Sequence, residues 1–178
     1  MTVEHRVAVR DAVAGILASR VPAVQGRIFR ARTWPLSEAE LPALLVYGWQ
    51  EEKKRTGGTA FRSFYAVSFI LAVEVRLNAL SRAGTVLEAE LEQLSGAVTA
   101  AVLQAAELLL PPDRKIERVD GVKTTLGIDS RSSEVAIGSA LIAFDLGWTE
   151  VFEVPSPAVD CDADATSIAF RPIPPVQA

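Results

Sequence analysis

The chain has 178 residues, of which 49% are hydrophobic, and a formal net charge of −4 at neutral pH. A chain of this length is most simply one domain, and it can bury roughly 70% of its unfolded surface without help from a disulfide or a metal. The acidic balance argues against non-specific nucleic-acid binding, which requires a concentrated positive surface. With a single cysteine, no signal-peptide pattern and no apolar run of the length that spans a membrane, the sequence predicts a soluble protein of a reducing compartment.

The first third of the chain predicts one helix and two strands. Residues 3–20 repeat apolar side chains at helical spacing, with charges available for the solvent side. Residues 26–33 and 43–50 predict strands, and between them the Ser and Glu of residues 37–40 have the spacing of a capping box and predict a single helical turn. The charged residues 51–61 end in a glycine pair and predict an exposed hairpin loop.

The middle of the chain predicts a long strand and the helix that covers it. Apolar side chains occupy alternate positions over residues 64–77, which is typical of a strand with one buried face. An apolar stripe at helical spacing then runs from Leu87 to Leu108, and we expect this long helix to lie against that face. We also expect the long strand to have an unpaired edge that a neighbouring subunit could cover.

Two further strands and a tail complete the predicted order. Residues 116–128 and 134–152 predict strands, and a shift of apolar parity in the second predicts a bulge near residues 138–141. The fold class is therefore α+β, with one mostly antiparallel sheet and with an N-terminal helix and a long central helix packed against it. Residues 1–152 form this domain, and residues 153–178 form a Pro/Ala/Asp-rich C-terminal extension.

No catalytic residue, cofactor site or metal site emerges from the sequence. His5 is the only histidine, and it is better explained as a solvated surface residue than as a general base. The carboxylates of Asp160–Asp164 alternate as at the start of a calcium loop, but Ala165 and Arg171 stand where its glycine and its closing glutamate belong. The glycines of residues 56–59 lack the Lys of a phosphate-binding loop. We therefore expect a protein that is not an enzyme.

Residues 26–52, GRIFRARTWPLSEAELPALLVYGWQEE, resemble the corresponding stretch of the phage tail terminator proteins, the minor tail protein U family of long-tailed bacteriophages. In that family an amphipathic helix leads into a Gly-Arg-Val/Ile-Phe strand, then an Arg, a Pro-Leu, an acidic turn and a Leu-Pro-Ala-Leu-x-Val-Tyr strand. The element order over residues 3–152 is also similar. The matching positions are Gly26, Arg27, Ile28, Phe29, Arg32, Pro35, Leu36, Glu40, Leu41, Pro42, Ala43, Leu44, Val46 and Tyr47.

The resemblance implies a structural virion protein without catalysis or cofactors. It implies a homo-oligomeric ring, expected to be a hexamer, that caps the tail tube, ends tail polymerisation and provides the surface for head joining. The implied partners are the tail tube protein and the head-neck connector protein, with no membrane and no sequence-specific nucleic acid. The implied location is the virion tail, after assembly in the host bacterial cytoplasm.

Five basic residues are candidates for the assembly surface, although for each a solvated charge is an equally good explanation. They are Arg30, Arg32, Lys53, Lys54 and Arg55. Trp34, Trp49 and Trp148 could anchor subunit contacts or could pack in the core. Two other functions stay open: a neck or head-completion protein, and a small-ligand-binding or hydrolytic α+β domain with a carboxylate site between a helix and the sheet, which would show a concave pocket with convergent polar groups.

Overall fold

The computed structural model describes residues 3–30, 36–78, 84–129 and 137–154. Within these residues it contains three α-helices and one five-stranded sheet. The predicted α+β class is confirmed. The helices are α1 (Val3–Arg20), α2 (Gly84–Leu103) and α3 (Ala106–Leu109), with short 3-10 turns at Pro22–Val24 and Glu38–Glu40. The strands are β1 (Ile28–Phe29), β2 (Ala43–Gly58), β3 (Arg62–Asn78), β4 (Arg118–Asp129) and β5 (Ile137–Glu153).

The sheet has the order β1-β2-β3-β5-β4, so the long alternating strand β3 lies at its centre. It pairs antiparallel with β2 from Ala43↔Arg76 to Gly58↔Ser63, and with β5 over its whole length. The expectation that β3 has an unpaired edge is therefore wrong. β4 pairs antiparallel with β5, whereas the two residues of β1 pair parallel with β2. The outer edges of the sheet within the described chain are β4 on one side and, on the other, β1 with the part of β2 that β1 does not reach.

Helices α1 and α2 cover one face of the sheet, because each carries an apolar stripe that needs a partner. The core forms where these stripes meet the odd-numbered residues of β3 and the even-numbered residues of β5. The predicted long helix ends earlier than expected, since the chain leaves helical geometry at Gln104 and Ala105 before α3. Leu108 is nevertheless buried in α3, so the predicted apolar stripe is preserved across the break.

The opposite face of the sheet carries a much smaller apolar cluster. Leu45, Tyr47 and Ala72 are buried there, and Phe29, Leu36 and Leu141 pack partly buried against them. The rest of this face is mixed in polarity, as in the hydrogen bond that Ser68 Oγ donates to Asp145 at 2.7 Å. The sheet therefore has one face in the main core and one face that is largely open among the described residues.

The predicted hairpin loop at residues 51–61 is wrong, because most of this segment belongs to β2. Glu51, Glu52 and the basic residues that follow pair with β3, and the turn to β3 occupies only a few residues after Gly58. Gly58 has a φ of 125°, and a Cβ at this position would lie 2.1 Å from the carbonyl oxygen of Arg62. The glycine pair therefore serves the hairpin turn, as expected, but the turn is shorter than predicted.

The strand irregularities also lie elsewhere than predicted. β5 pairs with β3 without interruption from Ile137 to Glu153, so the bulge expected near residues 138–141 is absent from the described strand. Register shifts occur instead around Trp49 and Thr56 in β2 and around Asp120 in β4. The even-numbered side chains of β5 face the core throughout, and Ile137 faces the other way.

Three smaller expectations have different outcomes. The turn at residues 37–40 is confirmed, since the Ser37 backbone N–H and hydroxyl both donate to the Glu40 carboxylate, at 2.7 and 2.8 Å. The strand predicted over residues 26–33 is only Ile28–Phe29, and residues 31–35 lie outside the described part. The extension from 153 to 178 lies outside it from residue 155, so the domain boundary stays a prediction.

Phe144 gives a direct test of the main core. Its side chain is fully buried on β5, so Phe144→Ala removes a large contact and leaves a cavity. We expect the free energy of unfolding to fall by about 3–5 kcal/mol in urea denaturation followed by circular dichroism. Phe61→Ala is the matched control, because Phe61 is 61% exposed and its loss should change stability by less than about 0.5 kcal/mol. Equal effects of the two substitutions would contradict this core.

Candidate functional site

The sheet continues beyond the two covering helices, and this continuation contains two of the five predicted interface residues, with a third in the row at its base. His5 at the start of α1 packs its ring against Trp148, with 4.9 Å between ring centroids. Trp148 lies in the row Lys53–Val67–Trp148 of the sheet. Beyond this row lie residues 54–58 of β2, 62–66 of β3 and 149–153 of β5, which we call the arm. Among them, only Glu150 is buried.

The structure separates the five basic candidates. Lys54 and Arg55 are exposed on β2 in the arm, and within the described residues neither pairs with a carboxylate. Lys53 is partly buried and points toward the core side. Arg30 is exposed near Asp11, with 3.9 Å between Nε and the carboxylate. Arg32 lies outside the described residues. Lys54 and Arg55 are thus adjacent on β2 with side chains on opposite faces of the sheet, whereas Arg30 lies near α1.

Lys53 belongs to a buried polar network at the base of the arm. Its Nζ donates to Glu150, whose side chain is only 1% exposed, and lies 3.4 Å from Oε1 of Glu51. The indole N–H of Trp148 donates to the other oxygen of Glu150 at 3.1 Å. A buried carboxylate needs such partners, because an unpaired charge away from water is costly. Lys53 is therefore engaged in an ion pair with a buried carboxylate.

The electrostatic environment of Lys53 agrees with this role. Partial burial by itself lowers the pKa of the Lys53 ammonium group, but the hydrogen bond and the charge of Glu150, together with Glu51, outweigh it. The net effect raises the pKa above the ordinary value of 10.5. The ammonium form is consequently the one that the folded state stabilises.

Sequence reasoning missed Glu150, although its position carries a usable signal. Phe144, Leu146 and Trp148 occupy alternate positions of β5, and the same parity leads to Glu150. A charged residue in the register of a buried face is unusual, and it indicates a partner on the neighbouring strand. The partner is Lys53 on β2, which is separated from β5 by β3. Its side chain is long enough to reach across β3 to Glu150.

The expectations for the tryptophans and for His5 can be compared with the structure where these residues are described. Trp148 is a core residue, in edge contact with Phe69 at 5.7 Å between centroids, whereas Trp49 is 55% exposed at a bulge of β2. Trp34 lies outside the described residues.

His5 is not a solvated surface residue as predicted, because it is partly buried and its Nε2–H donates to the carbonyl oxygen of Lys115 at 2.8 Å.

The outer end of the arm exposes apolar side chains. Phe61 is 61% exposed and Val154 is 59% exposed, and the Val154 N–H donates to the Phe61 carbonyl at 2.8 Å. By strand alternation these two lie on the same face as Tyr65 and Phe152, whose rings meet edge to face at 5.3 Å. We call these four residues the tip patch. Large exposed apolar residues grouped together are typical of an interaction surface.

A concave site also exists between α1 and the sheet. A cavity of about 350 Å³ is lined by Arg6, Arg10, Trp49, Gln50, Glu51 and Phe69 among others. We call it the seam cavity. Arg10 also donates to Asp11 at 3.0 Å. The Oε2 atom of Glu51 is buried and accepts no hydrogen bond from the described residues. The seam cavity therefore brings two guanidinium groups, one carboxylate and two aromatic rings to one place.

Replacing Lys53 tests the network at the base of the arm. Lys53→Met leaves the Glu150 carboxylate buried without its cation, so we expect the free energy of unfolding at neutral pH to fall by about 3 kcal/mol. Lys53→Met with Glu150→Gln removes both charges and keeps an acceptor for the Trp148 indole, and it should recover most of this loss. Lys54→Met, one residue away on the exposed side, should change stability by less than about 0.5 kcal/mol. A double variant as unstable as Lys53→Met would contradict the network.

The same variants predict a pH dependence. Because the pKa of Lys53 is raised on folding, its stabilising effect is fully present below 10.5 and is lost as the pH rises through the raised value. The stability difference between the wild type and the doubly neutral variant should therefore stay constant from neutral pH to about pH 10 and fall at higher pH. Urea denaturation at a series of alkaline pH values measures this difference.

Searches for a metal site, for a membrane helix and for related proteins identify no function. Across residues 3–30, 36–78, 84–129 and 137–154, no group of three or more His, Cys, Asp or Glu side chains is placed to hold a metal ion. No helix in the same ranges is long and apolar enough to cross a membrane. No protein-family model matches the chain, and no curated protein matches it.

Proposed function

We propose that this chain is a structural virion protein that caps a phage tail tube as a ring, ends tail polymerisation and provides the surface for head joining. In this proposal it acts without catalysis. Its partners are further copies of itself, expected to form a hexamer, the tail tube protein and the head-neck connector protein. It is assembled in the host bacterial cytoplasm and resides in the virion tail.

The resemblance of residues 26–52 supports this proposal through the structure that the stretch forms. Gly26 has a φ of 75°, which suits a glycine at the turn before β1. β1 then pairs side by side with the start of β2, through Ile28↔Leu44 and Phe29↔Leu45. The stretch thus builds an edge of the sheet, which is the scaffold role that the resemblance implies.

The observation that carries the proposal is the arm. Phe61 and Val154 expose apolar surface at its end, and Lys54 and Arg55 add unpaired positive charge along β2. Burying a side chain such as Phe against a partner is worth about 1.5–3 kcal/mol. A soluble chain that extends paired strands beyond its own core, with apolar side chains at the end, has a surface suited to contact with other subunits.

Charge reversal on the arm tests the assembly role. Lys54→Glu with Arg55→Glu should leave the fold intact, since both side chains are exposed, and should weaken the capping of tail tubes at least tenfold. Lys53 is left unchanged because its loss would disturb the buried network. The measurement is the fraction of tail tubes, from the phage that encodes the chain, that carry a cap in electron micrographs after mixing with purified protein.

The control for that variant reverses two exposed cations elsewhere, with Arg114→Glu and Lys123→Glu, and should cap tubes like the wild type. A wild-type protein that never caps tubes, at any concentration, would overturn the proposed function. Normal capping by the Lys54/Arg55 variant would overturn only the role of these two residues. Binding to portal-attached heads in place of tube ends would favour the neck or head-completion alternative.

The seam cavity favours a second candidate function, the binding of a small ligand. A zwitterion with an aromatic ring fits its lining, since the buried Glu51 oxygen can accept from an ammonium group and Arg6 can bind a carboxylate. If this function holds, an aromatic amino acid at about 10 mM should raise Tm by several degrees, and Glu51→Gln should abolish the rise. No shift with any of the aromatic amino acids would contradict ligand binding.

A further inference from the structure

The face of the sheet opposite the two covering helices, which we call the open face, carries an apolar hollow. This face hollow has a volume of about 480 Å³ and lies over the middle of β2, β3, β5 and β4. Apolar atoms make up most of its wall, which includes the 55% exposed Trp49. One ammonium group and one carboxylate, those of Lys123 and Asp145, also line it. An occupant should therefore bring apolar side chains together with charges of both signs.

An unpaired cation lies on the same face between the hollow and the end of the arm. Lys54 is in register with Thr149 of β5, and its ammonium group pairs with no carboxylate among the described residues. Glu52, on the next row of this face, is exposed and can stay in water. Along β5, the row of Lys54 is about 17 Å and Asp145 about 30 Å before Val154. A segment returning from Val154 over this face meets Lys54 first and the hollow second.

The chain itself contains a segment with this order of chemistry. Residues 155–178 follow Val154 directly and form the longest stretch outside the described residues. Their sequence begins with Pro-Ser-Pro, which favours a turn, and continues with aspartates at alternate positions of residues 160–164. It then reads Ile-Ala-Phe-Arg at residues 168–171. Acidic residues come first, and apolar residues followed by a cation come second.

The spacing agrees with this order. If residues 155–157 make the turn, an extended return antiparallel to β5 places residue 162 opposite residue 150 and residue 170 opposite residue 142. The aspartates then reach the row of Lys54. Ile168 and Phe170 reach the face hollow, whose lining on β5 lies within residues 141–145. The sequence after Val154 therefore matches the open face in both its order and its distances.

We propose that residues 155–171 fold back over the open face of their own chain. In this arrangement Ile168 and Phe170 occupy the face hollow, an aspartate pairs with Lys54, and Arg171 pairs with Asp145. The covalent tether favours this occupant over the extension of a second copy, because a short linker holds the segment at a millimolar effective concentration. The contact is independent of tail capping, so either can hold without the other.

Disulfide trapping locates the extension, because Cys161 is the only cysteine of the chain. In the proposed register residue 161 lies opposite Val151, which is 38% exposed on the open face. Val151→Cys in the full chain should therefore form an intramolecular disulfide with Cys161. Arg55→Cys is the matched control, because Arg55 is exposed on the other face of the arm. Each rate is divided by the rate at which the introduced thiol reacts with oxidised glutathione, which corrects for differences in thiol reactivity.

We expect the corrected rate for Val151→Cys to exceed that for Arg55→Cys by about tenfold or more, at any protein concentration. Phe170→Ser in the Val151→Cys background empties the hollow and should lower the rate to about that of the control. Lys54→Glu repels the aspartates and should lower it as well. Val176→Ser changes an apolar residue of the extension beyond the docked part and should leave the rate unchanged.

Three results would overturn the proposal. Equal corrected rates for Val151→Cys and Arg55→Cys would mean that the extension visits both faces alike. Disulfide-linked dimers that increase with protein concentration would assign the open face to the extension of a second copy. A fast rate for Val151→Cys that Phe170→Ser leaves unchanged would mean that the face hollow is not the docking site. Tube capping by the wild type is a separate measurement, so each of these results leaves the proposed function standing.

Discussion

The pairing of β3 on both sides, with β5 over its whole length and with β2 from Ser63 to Arg76, is the constraint on which the rest of the structure depends. Its odd-numbered side chains are the centre of the core that α1 and α2 cover, and its backbone fixes the register of β2 and β5. The same strand continues past the helices into the arm, where burial is slight. The arm is therefore held mainly by the hydrogen bonds of three paired strands, and its position follows from that of the core.

The transition from core to arm is marked by a change in the kind of interaction. Along β5 the side chains on the helix side are apolar up to Trp148, and at the next position of that face Glu150 is held by Lys53 and the Trp148 indole. A buried ion pair contributes little net stability compared with apolar packing, but it permits only one arrangement of its partners. At this place it fixes β2 relative to β5 across the intervening β3, next to the first turn of the covering helix α1, where His5 packs on Trp148.

The parts of the fold that the sequence predicts well are those in which burial dictates the side chains. The alternation in β3 and the stripe from Leu87 to Leu108 exist because each has one face in the core. Residues 54–58 show no such alternation, since both faces of the arm meet solvent at these positions, and only their pairing with β3 makes them a strand. The bulge at Trp49 and the reach of Lys53 to Glu150 likewise depend on neighbouring strands, which local sequence does not specify.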